Sequence, residues 1–170
     1  MKAMKKILAL ALAGVMALAL LTGCGTGGSA SHKSIAKAMA DHDNGLGNNM
    51  TSITYTSSPE LDAKLQQLAA DTRFETVVKA VYNGQSPTIP AGVLPTNKVV
   101  YLYCGKYDKD AGKQAINLNA WGHYTHIGSN STLADERQIG LITTSFTDTN
   151  GKKVKVRFAV VVSDIPAATP

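Results

Sequence analysis

Hydrophobic and polar residues alternate with the period of a β-strand along residues 139–147 and 153–162. Between the two segments stand Asn150 and Gly151, which suit the central positions of a type I′ turn. The pattern predicts a long antiparallel hairpin whose register is set by a two-residue turn. The expected cross-strand pairs are Ile139 with Val162, Leu141 with Val160 and Thr143 with Phe158.

The second strand of this hairpin has one apolar and one basic face. The apolar face is expected to comprise Val154, Val156, Phe158, Val160 and Val162. The opposite side carries a basic stripe made of Lys152, Lys153, Lys155 and Arg157. Such a stripe can contact anionic lipid headgroups, an acidic wall polymer or a partner, because each basic residue near an anionic membrane contributes about 1 kcal/mol. The alternative is a solvated sheet face that discourages pairing with another sheet.

Further segments also show alternation. Residues 98–104 and residues 114–127 are each predicted to form a strand, and Gly122 permits a bulge or bend in the second one. A short strand is possible at residues 51–56. The aligned apolar residues of the 114–127 segment are Ile116, Leu118 and Ala120.

Residues 58–83 instead repeat their apolar positions at helical spacing. Ser57 and Glu60 have the spacing of a capping box, and Pro59 is tolerated in a first helical turn. The sequence therefore predicts one α+β domain over residues 51–166. We expect an antiparallel sheet of four to five strands, covered on one face by one long helix at about residues 58–83.

The start of the chain has the composition of an export signal. Three lysines precede residues 7–20, which are apolar throughout, and this run is shorter than the ~20 residues of a membrane span. The segment Leu21-Thr22-Gly23-Cys24 that follows resembles the lipobox of bacterial lipoproteins. The resemblance implies that residues 1–23 are removed and that the thiol of Cys24 receives a diacylglycerol.

The lipobox resemblance also implies a location. A protein that carries two or more acyl chains is held stably at a membrane without spanning it. Gly25 occupies the position where an aspartate usually retains lipoproteins at the inner membrane, so we expect the outer membrane if the host has one. Residues 24–50 are predicted to hold the lipidated cysteine, a flexible Gly/Ser-rich tether and a marginal short helix at residues 34–40, which the turn formers of residues 41–49 would end.

Removal of the signal changes the charge and the cysteine count. Three of the 17 basic residues lie in the signal and all 12 acidic residues lie beyond it, which leaves 14 basic residues against 12. A net charge of +2 gives no reason to expect nucleic acid as a partner. Cys24 and Cys104 are the two cysteines of the chain, so lipidation of Cys24 leaves no intramolecular disulfide to stabilise the fold.

Two groups of residues are candidates for chemistry. His123 and His126 are closely spaced imidazoles, but residues three apart lie on opposite faces of a continuous strand, so chelation of a metal would need a bulge. Cys104 lies on the expected core face of its strand, where a thiol is usually an inert small hydrophobe. We expect no cofactor, and a nucleophilic Cys104 would need one of these histidines beside it.

One further segment shows a family resemblance. The run Asn119-Ala120-Trp121-Gly122-His123, followed by Ile139-Gly140-Leu141, resembles the end of bacterial CAP-superfamily domains, in which a Trp and a His precede an Ile-Gly strand. That family's Gly-Glu-Asn segment and its first histidine have no counterpart here, and the match spans less than a third of the chain.

These observations favour a membrane-anchored cell-envelope lipoprotein that acts as a non-enzymatic binding module. Its partners would be membrane lipid, through acylated Cys24, and an envelope protein, wall polymer or small ligand. Two alternatives stay open: an envelope hydrolase, CAP-like or not, centred on His123, His126 or Cys104, and a metal-binding lipoprotein.

Overall fold

The computed structural model describes residues 29–46, 52–119, 123–127 and 132–166, without the side chains of residues 123 and 124. The predicted signal, the predicted lipobox and Cys24 lie outside the described residues. The helices of the described residues are α1 (His32–Leu46), α2 (Pro59–Ala69), α3 (Phe74–Tyr82) and α4 (Ala111–Asn119). The strands are β1 (Thr54–Ser57), β2 (Val99–Lys106), β3 (His123–Ile127), β4 (Glu136–Thr147) and β5 (Lys153–Ser163).

The five strands form one mixed sheet in the order β1-β4-β5-β2-β3. The α+β class is confirmed, as is the short strand expected near residues 51–56. The prediction of a purely antiparallel sheet is wrong, because β1 pairs with β4 in parallel, from Thr54 beside Glu136 to Ser57 beside Ile139. All other pairings are antiparallel.

Helices cover both faces of the sheet. On one face, α2 and α3 pack against the even-numbered residues of β5, with Phe158 fully buried among them. On the other face, α1 and α4 pack against Ala159 and Val161. The prediction of one covered face is therefore wrong, and the described residues form three layers with the sheet in the middle.

The long helix predicted over residues 58–83 is two helices. Ser58 begins α2 by accepting the Leu61 N–H at 3.3 Å, with Pro59 in the first turn. The helix ends at Ala69, and the carboxylate of Asp71 then accepts both the backbone N–H and the guanidinium of Arg73 at 2.8–2.9 Å. These side-chain hydrogen bonds offer the backbone an alternative to those of a continued helix, so the chain turns before α3 begins.

The β4–β5 hairpin forms as predicted, but its register differs by one residue. The Asp148 N–H donates a hydrogen bond to the Lys152 carbonyl at 2.9 Å, and the Gly151 N–H donates one to the Asp148 carbonyl at 3.1 Å. Gly151 adopts a φ of 76°, so the loop has three residues with glycine in the left-handed position. Ile139 consequently lies opposite Val161 rather than Val162, and it packs on the face of α1 and α4.

The segment predicted as a strand over residues 114–127 begins as helix α4. Asp110 initiates the helix by accepting the Lys113 N–H at 2.8 Å. Leu118 is buried, whereas Ile116 is 38% exposed, so the two do not share a face. Gly105 of β2 lets the helix approach the sheet, because a Cβ there would lie 2.3 Å from the Asn117 carbonyl oxygen.

Helix α1 is longer than the short helix predicted at residues 34–40. It buries Ile35, Ala36 and Met39 against the sheet and continues through Leu46. The turn formers of residues 41–46 therefore lie in a helix that belongs to the fold, not in a linker. Among the described residues, no helix combines the length and apolar character needed to cross a bilayer.

Candidate functional site

A cleft of about 440 Å³ lies where the end of α3, the β4–β5 turn and the end of β2 meet. We call it the lysine cleft. Its charged residues are Lys79, Lys106, Lys152, Lys153, Lys155 and Asp148. Five ammonium groups against one carboxylate give this part of the surface a net charge of +4, which is more than the +2 expected for the whole mature chain.

Aromatic rings support the cleft. Tyr82 of α3 packs on Phe146 of β4, with ring centroids 4.9 Å apart. At the other side, the ammonium of Lys155 lies 3.7 Å from the centroid of the Tyr107 ring, within the range of a cation–π contact. These two contacts hold side chains in place on two sides of the lysine cleft.

The carboxylate of Asp148 serves the hairpin turn. One of its oxygens, Oδ1, accepts the backbone N–H groups of Asn150 and Lys152 at 2.9 and 2.8 Å. Within the described part of the chain, no ion pair joins Asp148 to a lysine of the cleft. Asp148 therefore does not neutralise the ammonium groups, and an anion from solution that binds among them would reduce their mutual repulsion.

Arg157 does not belong to this surface, although the sequence grouped it with the three hairpin lysines. It is only 3% exposed. Its Nη2 donates to Ser29 Oγ at 3.0 Å and to the Ala30 carbonyl at 3.2 Å. Burial lowers the pKa of the Arg157 guanidinium, and the nearby Tyr107 offsets part of this shift. The expected outward position is wrong because the segment before α1 covers this part of β5.

Cys104 and His123 occupy directly opposite positions of β2 and β3. The thiol of Cys104 is buried, and desolvation raises its pKa to about 12, so it is protonated at neutral pH. A buried thiol of this kind is a poor nucleophile. The side chain of His123 lies outside the described residues.

His126 lies opposite Tyr101, and its ring centroid is 6.0 Å from that of Tyr101. The β2–β3 pairing is continuous from residue 123 to residue 127, which puts positions 123 and 126 on opposite faces of the strand. The described part of the chain contains no group of three His, Cys, Asp or Glu side chains that could hold a metal ion.

A second polar cluster lies at the other end of the sheet. Asp43 of α1 accepts from Tyr55 at 2.8 Å, from Arg137 at 2.9 Å and from Asn119 at 2.8 Å. Arg137 Nη1 also donates to the Tyr55 hydroxyl at 2.7 Å. Burial, with added effects of Tyr103 and Asp43, raises the pKa of Tyr55 well above its usual range, so its hydroxyl remains a donor.

This Asp43 cluster joins four elements: α1, β1, α4 and β4. Both carboxylate oxygens of Asp43 have partners, and the side chains of Asp43 and Arg137 are 17% and 13% exposed. Hydrogen bonds of this kind hold the fold together, and the Tyr55 hydroxyl, whose pKa is raised, is not an activated nucleophile. We therefore regard it as structural.

The basic stripe predicted from the sequence contributes Lys152, Lys153 and Lys155 to the lysine cleft, and the other lining residues were not predicted. Lys79 and Lys106 come from distant segments, and neither stands in a basic run. The Asp43 cluster was also not predicted, since its members are spread from residue 43 to residue 137 and no local motif joins them. No protein-family model, no curated protein and no solved structure matches the chain.

Proposed function

We propose that this protein is a membrane-anchored cell-envelope lipoprotein that acts as a non-enzymatic binding module, and that the lysine cleft is its ligand site. The observation that carries the proposal is the convergence of five lysines from α3, β2 and the β4–β5 hairpin on one cleft. Its volume of about 440 Å³ falls in the range of small-molecule sites. The ligand class that fits is a compact anion, such as a phosphate or carboxylate group.

The first test uses tripolyphosphate as the probe and the mature chain with Cys24→Ser, which contains every described residue. Calorimetric titration should show saturable, salt-sensitive binding. Replacement of Lys79, Lys152 and Lys153 by glutamine should weaken binding by about tenfold or more, at about 0.5 kcal/mol for each lysine.

The matched control replaces Lys37, Lys64 and Lys98 by glutamine. This variant has the same net charge, and none of the three residues lines the lysine cleft. Each instead pairs with a carboxylate, namely Asp41, Glu60 and Asp164. Equal weakening in both triple variants, or no binding to the unsubstituted chain, would refute the assignment of the ligand site.

The anchor is tested separately at Cys24. Cys24→Ser should abolish incorporation of labelled palmitate and leave an uncleaved or soluble precursor, because no thiol remains to receive lipid. Cys104→Ala is the control and should keep its label, since Cys104 is buried in the fold. Persistent acyl labelling of Cys24→Ser would overturn the lipoprotein assignment.

A further inference from the structure

The chain enters the fold beside the lysine cleft. Tyr107, which lines the cleft, donates its hydroxyl to Ser29 Oγ at 3.0 Å, and Arg157 donates to the same oxygen. The next residue is fixed as well, because the Ala30 N–H bonds to the Lys109 carbonyl at 2.8 Å. The first described residues are therefore held at the cleft end of the domain.

This attachment limits the distance between the cleft and the anchor. Cys24 is five residues before Ser29. Whatever conformation the intervening residues adopt, five residues span at most about 18 Å. The Asp43 cluster is farther away. Arg157, which holds Ser29, lies opposite Thr143 of β4, and the six residues from Thr143 back to Arg137 span roughly 20 Å. Acylation of Cys24 would thus hold the lysine cleft nearer to the bilayer surface than the Asp43 cluster.

We propose that the lysine cleft binds the phosphate groups of anionic lipids in the same leaflet that holds the acyl chains of Cys24. The domain then sits with its cleft end on the membrane. This inference rests on the proposed function and adds to it the identity of the ligand and the orientation of the domain.

The charge distribution agrees with a lipid surface as the ligand. A lysine near an anionic membrane strengthens binding by about fivefold. The exposed large hydrophobic residues of the described chain are Leu46, Ile116 and Ile165, and none of them lines the cleft. Binding is therefore electrostatic, without insertion of an apolar side chain, and it weakens as salt shortens the Debye length from about 10 Å to about 3 Å between 0.1 and 1 M.

Vesicle sedimentation tests the ligand. The mature chain with Cys24→Ser should bind vesicles that contain phosphatidylglycerol and should not bind vesicles of phosphatidylcholine alone. Replacement of Lys79, Lys152 and Lys153 by glutamine should reduce partitioning by about 100-fold, which is the product of three fivefold effects. The control variant at Lys37, Lys64 and Lys98 should bind nearly as well as the unsubstituted chain.

The outcomes separate this inference from the proposed function. If tripolyphosphate binds at the lysine cleft but anionic vesicles do not, the ligand is a soluble anion or a wall polymer, and the lipid inference is wrong while the binding module stands. If neither probe binds, both proposals fall. If both triple variants lose vesicle binding equally, net charge and not the cleft is responsible, and the inference is again wrong.

Orientation is tested with the acylated protein in anionic vesicles. A fluorophore is attached to Asn150→Cys on the hairpin turn or, in a second variant, to Asp164→Cys beyond β5; both positions are exposed. Buried Cys104 should not react under the same conditions. Nitroxide headgroup lipids should quench the label at position 150 more strongly than the label at position 164. Equal quenching, or the reverse order, would overturn the proposed orientation.

Discussion

Phe158→Ala should lower the free energy of unfolding by about 3–5 kcal/mol, because it removes a buried ring and leaves a cavity. The ring is fully buried and meets Phe74 of α3 edge to face, with centroids 5.7 Å apart and an interplanar angle of 77°. The loss is a large share of the roughly 5–15 kcal/mol available to a domain. Urea denaturation of the mature chain with Cys24→Ser measures it.

Ile116→Ala is the matched control for this truncation. Ile116 lies on the outer side of α4, so its loss should change the stability by only about 0.5 kcal/mol. In a strand over residues 114–127 the same side chain would lie in the core and its removal would be costly. Equal losses in the two variants would therefore contradict both the position of α4 and the core assigned to Phe158.

Asp43→Ala should cost about 3 kcal/mol, because it leaves Arg137 partly buried without its carboxylate and removes the acceptor of Tyr55 and Asn119. Thermal or urea denaturation would measure the effect. Tyr55 and Arg137 would still contact each other, so we expect a less stable native fold and not an unfolded chain.

The same helix supplies a control two residues earlier. Asp41 pairs with Lys37 at 2.7 Å, but its side chain is 65% exposed. Exposed pairs contribute about 0–1 kcal/mol, so Asp41→Ala should have little effect. Similar losses for Asp41→Ala and Asp43→Ala would show that helix propensity, and not the Asp43 cluster, explains the result.

The strongest sequence pattern gave the most accurate prediction. The alternation of residues 153–162 correctly assigned Phe158 and its even-numbered neighbours to one buried face. The register was wrong because Asn150 and Gly151 suit two turn types. Asp148 decides between them through its bonds to the following N–H groups, which create a three-residue loop. A shift of one residue then moved Ile139 to the other face.

Other errors have causes beyond the local pattern. Residues 114–119 allow either period, and the Asp110 cap together with the close approach at Gly105 selects the helix. The parallel pairing of β1 with β4 joins segments about 80 residues apart, which no local period can indicate. Long separation along the chain also hid the lysine cleft, since Lys79 and Lys106 meet the hairpin lysines only through the fold.

The order of the strands has a consequence for how the chain acquires its structure. β5 is the middle strand of the sheet, yet it is the last strand in the described sequence. Neither β2 nor β4 has its main partner until residues 153–163 are present, and both helical layers lack their central support. A chain halted before this strand should remain unfolded, because long-range pairings form only after the loops that separate them have closed. Such late folding is compatible with the export that we propose, in which the chain would cross a membrane while still extended.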